Sequence, residues 1–154
     1  MCASRRLISL IFKLDADMLV CMPAITLADL PGRPCPIAAA LEMVGERWAL
    51  LIVRELALGN SRFDDIVRGT GAPRDRVAAR LKALDEAGVI QRRAYQAAPP
   101  RFDYQLTDSG RALVPVLDAL LAWGRDHAVG PGDPDRDRYR YRWIKAKQRA
   151  GGTS

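Results

Sequence analysis

Residues 61–107 read SRFDDIVRGTGAPRDRVAARLKALDEAGVIQRRAYQAAPPRFDYQLT. Phe63, Ile66 and Val67 give one short helix an inner face. Ser61 is placed to cap it, with Asp64 as half of a capping box. Gly69-Thr70-Gly71 makes a turn. Pro73 then falls near the first position of a second helix, and Asp75 lies in its first turn, where the helix dipole favours negative charge. Val77, Leu81 and Leu84, spaced i, i+4 and i+7, form its buried stripe, and Gly88 ends it. Two strands follow, over 89–95 and 101–107. The second alternates, with Phe102, Tyr104 and Leu106 on one side and Arg101, Asp103 and Gln105 on the other. Residues 96–100 form the hairpin tip, stiffened by Pro99-Pro100. Helix, turn, helix and hairpin in that order are the layout of a winged helix–turn–helix.

The flanks build outward from this unit. Pro31, Gly32, Pro34 and Pro36 mark a linker. Pro36 suits the start of a helix carrying Ile37, Leu41 and Val44 at helical spacing, with Gly45 as its stop. Residues 47–58 predict another helix, burying Trp48, Leu51, Ile52 and Leu56 and stopping at Gly59-Asn60. Downstream, Thr107 or Asp108 caps a long last helix running to about His127. Pro115 either starts its regular part or bends it. Leu113, Val114, Val116, Leu117, Leu120, Leu121 and Trp123 cover well over half of that helix's circumference. A surface helix needs a single stripe, so the wider one predicts burial on two sides, the second most easily covered by a partner subunit. The expected dimer interface is Leu113, Val116, Leu117, Leu120, Leu121 and Trp123. Gly130-Pro131-Gly132-Asp133-Pro134 then breaks the chain. Three segments are expected: an extension and linker over 1–34, the main domain over 35–129 and a basic tail over 130–154. The expected fold is mainly α with a small β-hairpin, a winged helix–turn–helix between flanking N- and C-terminal dimerisation helices.

At 154 residues, 49% apolar and 27% charged, the chain suits one domain with extensions. A net charge of +6 fits nucleic acid or an anionic surface without choosing between them. The charge is uneven. Residues 135–149 hold seven Arg and Lys against two Asp, and residues 73–101 hold seven against three acids. Tyr139, Tyr141 and Trp143 interleave the tail's cations, which leaves open another helix, a DNA-tracking arm with stacking aromatics, or a solvated end. Cys2, Cys21 and Cys35 are odd in number and lack C-x-x-C spacing, which argues against a disulfide framework and a structural zinc. A reducing cytoplasm is the simplest compartment. No run reaches the roughly 18 apolar residues of a membrane span, so no membrane partner is expected. In residues 1–22 the apolar run is short and charge interrupts it. An amphipathic extra helix is expected there, not a secretory signal; a translation start at Met18 or Met22 is the alternative.

Cys35-Pro36, residues 45–48 (GERW), 59–66 (GNSRFDDI), 81–90 (LKALDEAGVI), 92–95 (RRAY) and 104–111 (YQLTDSGR) occur in that order, and residues 116–124 close on Ala122-Trp123-Gly124. In order and spacing these segments resemble the HxlR family of bacterial transcriptional regulators, over about residues 35–128. The resemblance implies a winged helix–turn–helix related to the MarR type, dimeric through terminal helices and binding palindromic operator DNA in the cytoplasm. Family members often carry Ser or Thr at the start of the recognition helix and again within it. Pro73 and Ala78 stand in those places here, removing two hydroxyl contacts to phosphate or bases. In some relatives a cysteine at the place of Cys35 reacts with electrophiles or oxidants and changes DNA affinity.

Turning Val77, Leu81 and Leu84 inward projects Asp75, Ala79, Lys82 and Glu86 outward, with Arg76 and Ala83 beside them and Arg74 and Arg80 near the boundary. Arginine can donate two bonds to guanine in a major groove, and residues near a recognition helix's N-terminus reach the bases. The candidate DNA contacts are therefore Arg74, Asp75, Arg76 and Arg80, with Ala79 allowing close approach and Lys82 suited to phosphate. On the hairpin, Arg92, Arg93 and Arg101 would clamp phosphates or enter the minor groove; charge there also protects a strand edge. Cys35, ahead of the Pro36 helix, would hold its thiol at a helix N-terminus, where thiolate is favoured. It is the candidate redox or electrophile sensor; a small residue at a subunit boundary is the other reading.

Trp48, Phe63 and Trp123 read as core or interface. Asp64-Asp65 reads as an acidic helix start, because adjacent helical residues face different ways. His127 is the only His, and no Ser/His/Asp set, metal cluster or phosphate-binding glycine loop can be built. No enzymatic activity, metal or cofactor is expected. The expected partners are double-stranded operator DNA, a second copy of the chain and a small-molecule effector that would alter the spacing of two reading heads. Repression is expected over activation, since occupancy alone blocks a promoter. The rival reading is a winged-helix protein–protein interaction module without specific DNA binding.

Overall fold

Val77, Leu81 and Leu84 sit at the centre of the protein, each almost fully buried. A computed structural model describes residues 24–137. The helix expected within residues 1–22, Cys2, Cys21 and the basic aromatic stretch from residue 138 lie outside the described residues. After a 3-10 turn at Leu27–Asp29 come α1 (Pro36–Val44), α2 (Ala49–Ala57), α3 (Phe63–Thr70) and α4 (Arg74–Glu86). The antiparallel hairpin of β1 (Ile90–Gln96) and β2 (Arg101–Leu106) follows, then α5 (Asp108–Ala112) and α6 (Val114–His127). This is a mainly helical winged helix–turn–helix with one two-stranded sheet. Ile52 and Val53 of α2, Ile66 of α3, the α4 stripe and Val89-Ile90 close a single core. Burying each large aliphatic side chain contributes about 1.5–3 kcal/mol.

The turn between α3 and α4 is tightly determined. Gly71 is left-handed, with φ 65°, and donates its N–H to the Val67 carbonyl. A side chain is disfavoured in that conformation. The Thr70 hydroxyl donates to the Ile66 carbonyl at 2.8 Å, and the Ala72 N–H donates back to it at 3.3 Å. Pro73 takes the cap position, and α4 begins at Arg74 with Asp75 in its first turn.

Three local expectations change. Ser61 does not cap α3. Arg62 holds the cap position in an extended conformation and bridges to Asp103, while the Ser61 carbonyl accepts from the Tyr104 N–H at 2.8 Å. The segment before α3 is committed to pairing with the hairpin, which leaves the serine no capping geometry. Trp48 is not helical but left-handed, with φ 80°, and caps α2; the Arg47 guanidinium lies 4.5 Å from its ring centroid. Such a conformation costs on the order of 1–3 kcal/mol at a non-glycine residue, offset here by packing of the indole on the core.

The long last helix is two helices. Thr107 caps α5, accepting from the Gly110 N–H, and its hydroxyl lies 2.7 and 2.9 Å from the Gly88 and Val89 carbonyls. A Cβ at Gly110 would fall 2.1 Å from the Val89 carbonyl oxygen. This close approach pins α5 to the end of α4, so the chain turns at Leu113 before α6 starts, with Pro115 in its first turn. Arg136 returns to the far end of α6, donating from Nε and Nη2 to the Arg125 carbonyl at 3.0 and 2.9 Å.

Candidate nucleic-acid interface

The outward face of α4 carries Arg74, Asp75, Arg76, Ala79 and Lys82 in exposed positions, while Arg80 is half-buried. Every cation on this face has a carboxylate neighbour. Arg74 donates to Asp64 at 2.7 Å and lies over the Phe63 ring. Arg76 pairs with Asp75 at 3.6 Å, Arg80 with Glu46 at 3.6 Å and Lys82 with Glu86 at 3.7 Å. Exposed pairs contribute only about 0–1 kcal/mol each. Exchanging Asp64 or Asp75 for a phosphate or a guanine edge is therefore inexpensive.

The three hairpin arginines do not form one cluster. Register pairs Arg92 with Tyr104 and Ala94 with Phe102, and Arg93 with Asp103. Arg92 thus shares a face with Phe102, its guanidinium 4.4 Å from the ring centroid, and its main-chain N–H donates to Asp85 of α4 at 3.2 Å. That bond fixes the hairpin to the end of α4. Arg93 and Arg101 occupy the opposite face and have no carboxylate partner among the described residues. Arg62 joins that face, 4.0 Å from Asp103 and 5.0 Å from the Tyr95 ring centroid. Nothing in the sequence periodicity singled Arg62 out; only its strand-like pairing brings it there. The Asp103 Oδ1 atom is buried without a hydrogen bond. Burial raises the Tyr104 phenol above its ordinary value, with Arg92 opposing the shift and Asp85 adding to it.

Cys35 caps α1, its half-buried sulfur accepting from the Ala38 N–H at 3.4 Å. The apolar residues of α6 divide. Leu117 is buried in the core and Leu113 packs against it. Val116, Leu120, Leu121 and Trp123 keep exposed surface; Trp123 is 61% exposed, and Ile37 on α1 is 72% exposed. Among the described residues no His/Cys/Asp/Glu group could hold a metal, and no helix is long and apolar enough to cross a membrane.

Residues 43–130 match the HxlR-like helix-turn-helix family, more than half of the chain. The chain belongs to the HxlR family. The uncharacterized HTH-type transcriptional regulator Rv3095 of Mycobacterium tuberculosis is 41% identical over 98 residues, covering 64% of this chain and 62% of the relative. The chain thus matches less than two thirds of that relative's length. PA1607, solved as a candidate transcription factor, superposes with a TM-score of 0.60 at 37% identity, over 64% of this chain and 69% of its own. The redox regulator HypR in its oxidized form superposes with a TM-score of 0.54 at 25% identity, over 60% of this chain and 97% of its own. HxlR-family proteins are DNA-binding transcriptional regulators, and the helix–turn–helix and wing described above are the family's parts.

Proposed function

We propose that this HxlR-family protein is a homodimeric, operator-specific regulator that represses by occupancy in the cytoplasm, within residues 35–129. The observation that carries it is the α4 face, where Arg74 and Arg76 stand exposed on the first turn with only weak surface pairing. In this reading Arg74, Arg76 and Arg80 contact bases, Asp75 and Ala79 shape the approach, and Lys82 meets phosphate. Arg93 and Arg101 grip the backbone, and the main-chain N–H of Arg92 holds the wing on α4. A two-fold dimer would place the two α4 helices roughly 34 Å apart, the spacing of successive major grooves. Exposed Val116, Leu120, Leu121 and Trp123 are the surface such a dimer would cover. Cys35 would act as the sensor: modification of a sulfur that caps α1 removes that helix's cap and would alter the spacing of the two reading heads, as suits a relative of a redox regulator.

The test is duplex binding by the full chain across several salt concentrations. Arg74→Ala with Arg76→Ala should abolish preference for the selected operator and leave weak, salt-sensitive binding to any duplex. A wild-type chain with no sequence preference at any salt would point to the protein–protein module instead. For sensing, Cys35 is treated with a mild oxidant and mapped by mass spectrometry beside a gel shift. An unchanged affinity with a modified thiol retires that role.

A further inference from the structure

Glu55 is a carboxylate only 4% exposed, set in the apolar core side of α2. Its Oε1 accepts from Arg54 Nε and Nη2 at 2.9 and 2.7 Å, and its Oε2 from Asn60 Nδ2 at 2.6 Å. Arg54 Nη2 donates again, to the Gly69 carbonyl at 2.8 Å. Gly69 is pressed onto this group so closely that a Cβ there would lie 2.0 Å from Glu55 Oε2. The last turn of α3 therefore rests on a charged clasp anchored in α2, and α4 starts five residues after Gly69. Gly71 and Thr70 make the intervening turn stiff, so the angle set at Gly69 is carried into the recognition helix. Arg54 also faces the other way. It is the one charged residue among Leu50, Leu51, Leu58, Leu117, Leu120 and Leu121, which line an apolar groove between α2 and α6.

We propose that Arg54 is a positioning residue for operator reading: with Glu55 and Asn60 it sets the pose of α4. The inference rests on the DNA-binding reading above. A buried carboxylate that accepts three hydrogen bonds is rigid where a surface pair is not, and base recognition tolerates little displacement of the donating side chain. Phosphate contacts, being mostly electrostatic, tolerate more. The clasp is thus placed to affect sequence discrimination and leave general duplex affinity alone.

Arg54→Lys is the test. Lysine keeps Glu55 neutralised, but its nitrogen ends short of the place of Nη2 and cannot hold both Glu55 and Gly69. Glu55→Gln is the second variant, isosteric and able to keep Asn60 through an amide flip. Each full-length variant and the wild type are assayed against a duplex that the wild type recovers from a random-sequence library, and against random duplex. The expected result is a fall of about tenfold in the operator-to-random affinity ratio, the loss of roughly one base contact. Random-duplex affinity, its salt slope, the melting temperature and the oligomeric state should hold, with a smaller fall for Glu55→Gln. An unchanged ratio in both variants overturns the proposal while the functional reading stands. Loss of both kinds of binding together with a lowered melting temperature also overturns it, since the clasp would then only hold the fold. A wild type that recovers no preferred duplex overturns the functional reading and this inference with it.

Discussion

Cys35 satisfies one of the unpaired N–H groups of α1 through sulfur, a weak acceptor at 3.4 Å from Ala38 N. Serine is a better cap, so Cys35→Ser should raise stability by up to about 1 kcal/mol, read as a higher melting temperature. A lower one would mean that the thiol's packing outweighs its capping. Tyr104 is the second residue with a checkable consequence. Burial holds its phenol above the ordinary value of 10.0, with Arg92 lowering and Asp85 raising it. The folded chain then binds that proton more tightly than the unfolded one. The resulting stabilisation is complete below about pH 10 and is lost as pH rises through the unfolded and then the folded value. Wild-type melting temperature should therefore fall more steeply above pH 10 than that of Tyr104→Phe. Parallel decline in thermal melts followed through the alkaline range would show that the burial does not reach the phenol oxygen.

At the scale of elements, the wing is where charge and register meet. Arg93 and Arg101 lie on one face without carboxylate partners among the described residues, and Arg92 lies on the other against Phe102. Replacing Arg93 and Arg101 by Ala should lower the salt slope of duplex binding by about two, at roughly 0.9 per phosphate released, and weaken operator and random duplex alike. Arg92→Ala should leave the slope in place. Fluorescence anisotropy across a salt series checks both; an equal effect of all three would mean the two faces both meet DNA. The split was latent in the sequence, since residues 92 and 93 alternate across any strand, yet all three hairpin arginines read as DNA contacts. The α3–α4 pair was legible because Val77, Leu81 and Leu84 repeat at helical spacing between glycine stops, and burial follows period. The clasp was not. Arg54-Glu55 looks like a surface dipeptide on a helix, and only the return of α3 onto α2 buries the carboxylate against Gly69. Ser61 misled for a related reason. Its backbone pairs with the hairpin, a non-local contact that local capping rules do not contain. The break at Leu113 likewise follows from Gly110 meeting Val89, two segments apart in sequence.

For the whole molecule, the question is what covers the apolar side of α6. Leu117 already lies in the core, and the rest of the stripe stays open among the described residues. Trp123 at 61% and Leu120 at 46% remain exposed, with Ile37 and Leu41 of α1 also open. Isolated apolar residues on a surface need no explanation, but several on two helices that flank the same domain are the surface on which the proposed dimer would close. If a second copy covers it, the two reading heads act as one ligand. The second head then binds at an effective concentration in the millimolar range, and separating them costs on the order of 10²–10⁴ in affinity. Val116→Asp with Trp123→Asp tests this without disturbing the core, because both side chains are exposed and neither lines the groove between α2 and α6. The variant should sediment as a monomer with a nearly unchanged melting profile. Its affinity for a two-half-site operator should fall at least about a hundredfold, while affinity for a single half-site holds. A variant that remains dimeric would place the seam elsewhere. One that becomes monomeric yet binds the full operator as before would show that each head reads DNA alone, and that α6 does not set their spacing.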